Sequence, residues 1–307
     1  MKIALVGIGT IAREQHIPAV AAHPTLDLAA TASRNPSATV DGVPGYTSLA
    51  ELLDAEPAIP CVSLCTPPQA RFEDARRALQ AGRHVMLEKP PGASLSEVHA
   101  LEDLARAAGA TLFATWHSRE AAAVDAARDW LAERKLRRVR IEWKESVRKW
   151  HPGQEWIWQP GGLGVFDPGI NALSVMTAIL PNPVHLSGAT LHFPENRDTP
   201  IAADLQFVHP HGADVTAIFD WRLEDGETWT VAIETSDGNA KLSEGGARFA
   251  VEGTEITGGD DQEYPRLYKR FTELVAANDS EVDLSPMRHV ADAFTLGKRT
   301  IVAPFHW

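Results

Sequence analysis

Three polar side chains have types and surroundings suited to proton chemistry at a hydroxyl: Lys89, Asp167 and Asn171. Lys89 lies in Leu87-Glu88-Lys89-Pro90-Pro91, where the prolines exclude helix and hold the lysine in extended backbone. Asp167 and Asn171 stand four apart at the head of a helical apolar pattern (Ala172, Leu173, Val175, Met176, Ile179, Leu180), so both fall on one helix face. An amine and a carboxylate can serve as base and charge partner, and which of the two takes the proton stays open, because coupled groups share it. An amide does not shuttle protons near neutral pH, so Asn171 can only orient a ligand. Singly, each residue has a plainer reading: a solvated lysine, a helix-capping aspartate, a locally bonded asparagine. Together they argue for one site.

The elements that must position them alternate strand and helix. The apolar run 83–87 follows a helical stretch ending at Gly82, so it reads as a buried parallel strand with Lys89 at its carboxyl end, the edge where open α/β sheets bind ligands. The same pattern starts the chain. Residues 2–6 form a compact apolar strand that runs into Gly7-Ile8-Gly9-Thr10-Ile11-Ala12, followed by a helix interrupted early by Pro18. This is a G-x-G-x-x-A dinucleotide fingerprint: Gly7 permits the tight turn, Gly9 admits a pyrophosphate, and Ala12 lets the helix lie close to the sheet. The second strand, 26–32, ends in Ser33 and Arg34 with no acid to grip a ribose; Asp27 lies at the wrong end. Ser33 and Arg34 suit a 2′-phosphate, and a charge-assisted contact of about 1.5–3 kcal/mol implies roughly ten- to a hundred-fold preference for NADP over NAD.

Thr47 opens a helix over 47–53, and a third buried strand over 60–65 leads to Cys65-Thr66-Pro67-Pro68-Gln69, whose backbone walls the nicotinamide side. Glu88, Lys89 and Pro90 close the same edge. A helix over 70–81 and one capped by Ser94 with Glu97 three residues on precede a strand at 111–115. The predicted fold is therefore α/β: a doubly wound parallel sheet over 1–118, then an α+β domain over 119–307. The second domain opens with a helix over 120–132. A basic cluster at 134–138 reads as a solvated helix end, and a strand over 138–147 follows. Trp143, Trp150, Trp156 and Trp158 then fall within sixteen residues. Flat rings can meet the apolar face of a ligand while Glu145 and His151 take its hydroxyls, a pocket wall of which Trp150 and Trp158 are the candidate rings; others among these tryptophans pack the core. His117 and Glu120 lie just past the last parallel strand, at the same ligand edge. Repeated strands over 186–242 suit one broad, mostly antiparallel sheet, an exposed loop spans 258–261, and helices over 264–277 and 286–300 end the chain, the last expected to pack on the first domain.

Length and charge narrow the partners. A chain of 307 residues exceeds the usual size of one core, and a net charge of −12 argues against nucleic acid or anionic membrane. Cys61 and Cys65, four apart in one apolar run, are placed to stay reduced, and the amino-terminal apolar run, broken by Gly7 and Gly9, lacks a cleavage site; the expected location is the cytoplasm. No stretch approaches a membrane span, and no His, Cys and carboxylate cluster has metal-ligand spacing.

Gly7-x-Gly9-x-x-Ala12, Glu88-Lys89-Pro90 and Gly161-Gly162 followed by Asp167 resemble the glucose-fructose oxidoreductase, inositol dehydrogenase and rhizopine-catabolism family across the whole chain. Glu88-Lys89-Pro90 is the specific part. The resemblance implies a Rossmann domain joined to a domain built on a large open sheet, oxidation or reduction of sugars and polyols, and a homodimer formed through the open sheet. Residues 164–173 are further similar to the bacterial L-arabinose and D-galactose 1-dehydrogenase branch. Asn171 supports that branch, since most of the family carries a histidine there. The expected activity is oxidation of an anomeric hydroxyl to a lactone by hydride transfer to NADP, with Lys89, Asp167 and Asn171 as the catalytic group. A polyol or inositol dehydrogenase and a non-catalytic NADP-binding sugar sensor are the alternatives.

Overall fold

In the computed structural model, which describes residues 1–307, the amino-terminal apolar run forms β1 (Lys2–Val6), with Ile3, Ala4 and Leu5 wholly buried. It lies within a sheet completed by β2 (Asp27–Ala32), β3 (Gly45–Tyr46), β4 (Cys61–Leu64), β5 (His84–Leu87) and β6 (Leu112–Ala114), in the order β3-β2-β1-β4-β5-β6. Every pairing is parallel, so both faces must be covered. Ala4 and Val6 pack toward Leu79 and Leu101 of the helices Pro68–Gln80 and Leu95–Ala108. Ile3, Cys61, Met86 and Phe113 face the other way, onto Val20 and onto a helix from far along the chain, Glu263–Ala277. That helix presents Tyr264, Leu267, Tyr268, Phe271 and Leu274 at helical spacing.

The chain accordingly forms two units: Met1–His117 with Tyr264–Asp283, and Ser118–Glu263 with Leu284–Trp307. The segment that returns to the first unit is thus the helix Glu263–Ala277 and its sequel; the last helix, Ser285–Leu296, belongs to the second unit.

Local chemistry moved several boundaries. Pro18 interrupts nothing: a π-helical turn, Ala12–His16, runs into the α-helix Ile17–Ala22, and Pro18 stands in that helix's first turn, where a missing N–H is tolerated. The helix expected from Thr47 begins at Leu49, because Ser48 is the cap. Its Oγ accepts the Glu51 N–H (3.2 Å), while the Glu51 carboxylate accepts from the Thr47 N–H and hydroxyl (3.0 and 2.7 Å). Ser94 caps Leu95–Ala108 as its spacing predicts, and Gly109 ends it at φ +62°.

The second unit is built on β7 (Leu136–Lys144), β8 (His185–Pro194), β9 (Ala202–Val208), β10 (Asp214–Asp220), β11 (Thr228–Thr235), β12 (Asn239–Ser243), β13 (Arg248–Val251), β14 (Thr254–Gly258) and β15 (Lys298–Val302). Their order is β14-β13-β12-β11-β7-β10-β9-β8-β15, antiparallel except at β7–β10 and β8–β15. Val139, Ile141, Val215 and Phe219 are buried, and the helices Val124–Ala132, Phe166–Ile179 and Ser285–Leu296 pack on this sheet. The alternating residues Arg138 and Arg140 are exposed, and Arg138 pairs across strands with Asp214 (3.3 Å) and Glu234 (3.2 Å). The basic cluster at 134–138 is therefore largely strand rather than helix end. Three strands of this unit were not foreseen. β13 and β14 precede the 258–261 loop, and β15 replaces the end of the helix expected over 286–300. The helix ends at Leu296, Gly297 follows in extended backbone where no side chain would clear the Ala293 carbonyl, and Thr300, Ile301 and Val302 favour strand.

Candidate active site

In the first unit the glycine loop leaves β1 with Gly7 at φ +90°, its N–H bonded to the Ala32 carbonyl (2.9 Å). A Cβ on Gly7 would lie 2.9 Å from the Thr66 nitrogen, so only glycine allows the loop to approach the end of β4. Beside Gly9 there is open space, as a bound phosphate requires. These residues border a cleft of about 620 Å³, together with Ser33, Arg34, Thr66 and Asp74. Ile8 also lines it but is itself buried, whereas Thr10 and Ile11 are exposed. The cleft fits a dinucleotide at the point where the strand order reverses between β1 and β4. Asp27 is the first residue of β2, paired with Lys2 at the far end. Along the β4 side, Cys65, Thr66 and Pro67 face the cleft with Ala70. Pro68 is buried in the first helical turn and Gln69 is exposed.

Lys89 follows β5 across a cis peptide to Pro90. Beneath it lies a polar socket. Glu88 is 4% exposed, and its carboxylate accepts from the Tyr264 hydroxyl (2.7 Å), His16 Nε2 (3.0 Å) and the Lys89 backbone N–H (2.8 Å). His16 Nδ1 stands 2.7 Å from the Tyr268 hydroxyl, which donates to Ser63 Oγ (3.4 Å). The wholly buried Arg71 donates to the carbonyls of Thr66, Glu88 and Pro90, tying the cleft wall to the Lys89 segment. The His117 ring stacks on Tyr264 at 5.6 Å. Burial alone would raise the Glu88 pKa, but the His16 hydrogen bond and charge, His117 and the Tyr264 hydroxyl hold it far below the ordinary carboxylate value. Burial likewise opposes a charge on His16, yet Cys65, Tyr268 and the Glu88 carboxylate hold its pKa well above the usual imidazole value. Both shifts favour the ionic form of the pair. Glu88, expected against the cofactor, instead braces Lys89 from inside, because three donors already occupy its carboxylate.

In the second unit Asp167 occupies the first turn of Phe166–Ile179 and is 4% exposed, with Asn171 half-buried one turn on. The helix approaches the sheet at Gly169, where a Cβ would lie 2.5 Å from the Phe219 ring. Gly164, at φ +57°, turns the chain into the helix where a side chain would overlap the Pro200 carbonyl. His151 Nε2 stands 3.4 Å from Asp167 Oδ2, and its ring lies 5.1 Å from Trp221. The Asn171 side-chain amide has no partner within the chain.

Glu145 is buried too. Its two oxygens accept the indole N–H groups of Trp221 (3.2 Å) and Trp229 (2.9 Å). Glu145 thus fixes aromatic rings, a role that its position among polar sugar-binding candidates did not suggest. Trp158 is 2% exposed, packed on Trp221 (5.5 Å) and Phe305 (4.9 Å), so it is core rather than a free wall. Trp150 is 44% exposed and leans on Trp229. Glu120 is half-buried at the end of the 3-10 turn His117–Glu120. Within this unit His151, Trp158 and Glu145 meet Trp221, and Asp167 stands beside His151. His16, Asp74, Trp221, Trp229 and Tyr264 were not foreseen as site residues; the signal for Tyr264 was its i, i+4 pairing with Tyr268 on one helix face.

A fingerprint loop at a switch point, a phosphate-sized opening and a braced lysine define a nicotinamide-dependent oxidoreductase. A family model described as an oxidoreductase family with an NAD-binding Rossmann fold matches residues 1–115. Galactose 1-dehydrogenase of Pseudomonas fluorescens is 42% identical over 100% of this chain and 99% of its own length. The crystal structure of D-galactose-1-dehydrogenase from Rhizobium etli superimposes with a TM-score of 0.95 at 56% identity, covering 99% of this chain and 97% of that one. A 3-ketoreductase from Actinomadura kijaniata, crystallised with NADP and TDP-benzene, shares the fold at a TM-score of 0.86 and 19% identity, over 98% and 99% of the two chains. The chain belongs to this oxidoreductase family, the one that includes glucose-fructose oxidoreductase and inositol dehydrogenase.

Proposed function

We propose that this enzyme is an NADP-preferring aldose 1-dehydrogenase that oxidises the anomeric C1 hydroxyl of D-galactose, L-arabinose or both to the lactone. The observation that carries this reading is the full-length similarity to galactose 1-dehydrogenases at 42% and 56% identity. The two sugars share their hydroxyl arrangement from C2 to C4, so a pocket reading those positions accepts both. When bound, NADP supplies the acceptor for the C1 hydride. β2 leads into Ser33 and Arg34 rather than into an acid, which favours its 2′-phosphate.

The chain's own groups do the rest. Lys89 and Asp167 serve as base and charge partner for the hydroxyl proton, and the unengaged amide of Asn171 orients the sugar. His151 and Trp150 supply a polar contact and an aromatic surface. A second copy covers the half-exposed sheet face around Arg140, Thr190 and Ile218, which sedimentation as twice 33.4 kDa would register. The two free cysteines suit the reducing cytoplasm. Lys89→Ala and Asp167→Asn are each expected to cut turnover at saturating sugar more than tenfold while NADP still binds; retention of more than a tenth of turnover by Lys89→Ala overturns the assignment. Arg34→Ala should lower the NADP-over-NAD preference by roughly ten- to a hundred-fold.

A further inference from the structure

The cofactor cleft contains a carboxylate that phosphate binding does not explain. Asp74 stands in the second turn of the helix Pro68–Gln80, half-buried, one turn beyond Ala70, and both residues line the cleft with Ser33 and Arg34. Asp74 makes no hydrogen bond and has no basic side chain within 4 Å; Arg34 and Arg77 act on it only at longer range, and burial raises its pKa in spite of them. Arg34 is likewise unengaged. A half-buried carboxylate without a donor is costly, and a ligand that supplies the donor recovers that cost.

Among the groups of an adenine dinucleotide the choice is narrow. Phosphates repel a carboxylate and belong at Gly7 and Gly9. The ribose hydroxyls belong at the end of β2, beside Ser33. The nicotinamide carboxamide belongs at the edge formed by residues 65–69, so the remaining donor is the 6-amino group of adenine, whose ring can lie against the small Ala70, with Arg34 lining the same cleft. We infer that Asp74 accepts a hydrogen bond from the adenine 6-amino group and so selects adenine over other bases in the cofactor. The inference rests on the reading of this cleft as the dinucleotide site. Hypoxanthine, with a carbonyl in place of the amine, would set oxygen against the carboxylate.

The test is to measure dissociation constants of the full chain for NADP, NAD and the hypoxanthine analogue of NADP, in wild type, Asp74→Ala and Asp74→Asn, with thermal melts to confirm folding. Wild type should bind NADP about ten times more tightly than the analogue, and Asp74→Ala should bring that ratio to about one by weakening NADP and NAD alike. Asp74→Asn, whose amide can both accept and donate, should also compress the ratio. An unchanged ratio in Asp74→Ala overturns the inference. So does a gain in affinity for NADP alone, which would make Asp74 a charge acting on the 2′-phosphate. Failure of the wild type to bind any of the three would instead remove the cofactor reading beneath it.

Discussion

Glu88 and Glu145 are both buried carboxylates, one in each unit, and they are held by different chemistry. Glu88 meets a charged imidazole and a phenol and also accepts the backbone N–H of Lys89. Glu145 accepts from two indoles, which do not titrate in the physiological range. The first arrangement keeps an ion pair inside the protein and fixes a segment of backbone. The second fixes the planes of two rings. pH therefore reaches the Lys89 segment through His16, while the indole donors around Glu145 are indifferent to it.

Substitutions can break this contrast. The largest effect is expected for Glu88→Ala, which leaves the His16 charge buried without its partner and should cost about 3–5 kcal/mol in urea unfolding. Tyr264→Phe removes one hydrogen bond to a charged acceptor. It should cost about 1.5–3 kcal/mol and lower turnover with little change in NADP affinity. Glu145→Gln leaves one indole N–H without an acceptor, for about 1–3 kcal/mol, and its near-ultraviolet circular dichroism should report the loosened Trp221 and Trp229.

The pH dependence sharpens the comparison further. The raised pKa of His16 contributes stability that is full below the ordinary imidazole value of 6.5 and is lost as pH rises through the folded value. The depressed pKa of Glu88 contributes stability that is full above 4.5 and is lost as pH falls through the folded value. The stability difference between wild type and a His16→Gln/Glu88→Gln double variant should therefore be greatest between about pH 4.5 and 6.5 and shrink on either side. The smallest effect belongs to a cap: Ser94→Ala should cost about 1 kcal/mol, seen as a small fall in Tm.

Much of this architecture was legible because it is encoded locally. β1 and the glycine loop, the strand before Lys89, the Ser94 cap and the Asp167–Asn171 helix face all follow from periodicity and turn chemistry within a few residues. What stayed hidden depends on distance along the chain. A helix over 264–277 is expected from the sequence, but Tyr264 meets Glu88 across 176 residues. Glu145 looked like a sugar contact among tryptophans until Trp221 and Trp229, 76 and 84 residues on, took its oxygens. Nothing near Asp74 in the sequence marks the cleft it lines, for it stands within a crossover helix. The Thr47 error was of another kind: two adjacent hydroxyl residues competed for one cap, and Ser48 held it with Glu51 reaching back to its neighbour.

The most direct measurement is absorbance at the reduced-nicotinamide band with NADP or NAD and, in turn, D-galactose, L-arabinose, D-glucose, D-xylose and myo-inositol. Rapid reduction of NADP with D-galactose or L-arabinose, slower reduction of NAD and none with myo-inositol is the expected outcome. Silence with every aldose would contradict it. Activity with inositol would then identify a polyol dehydrogenase, and silence throughout, with NADP bound, a sensor.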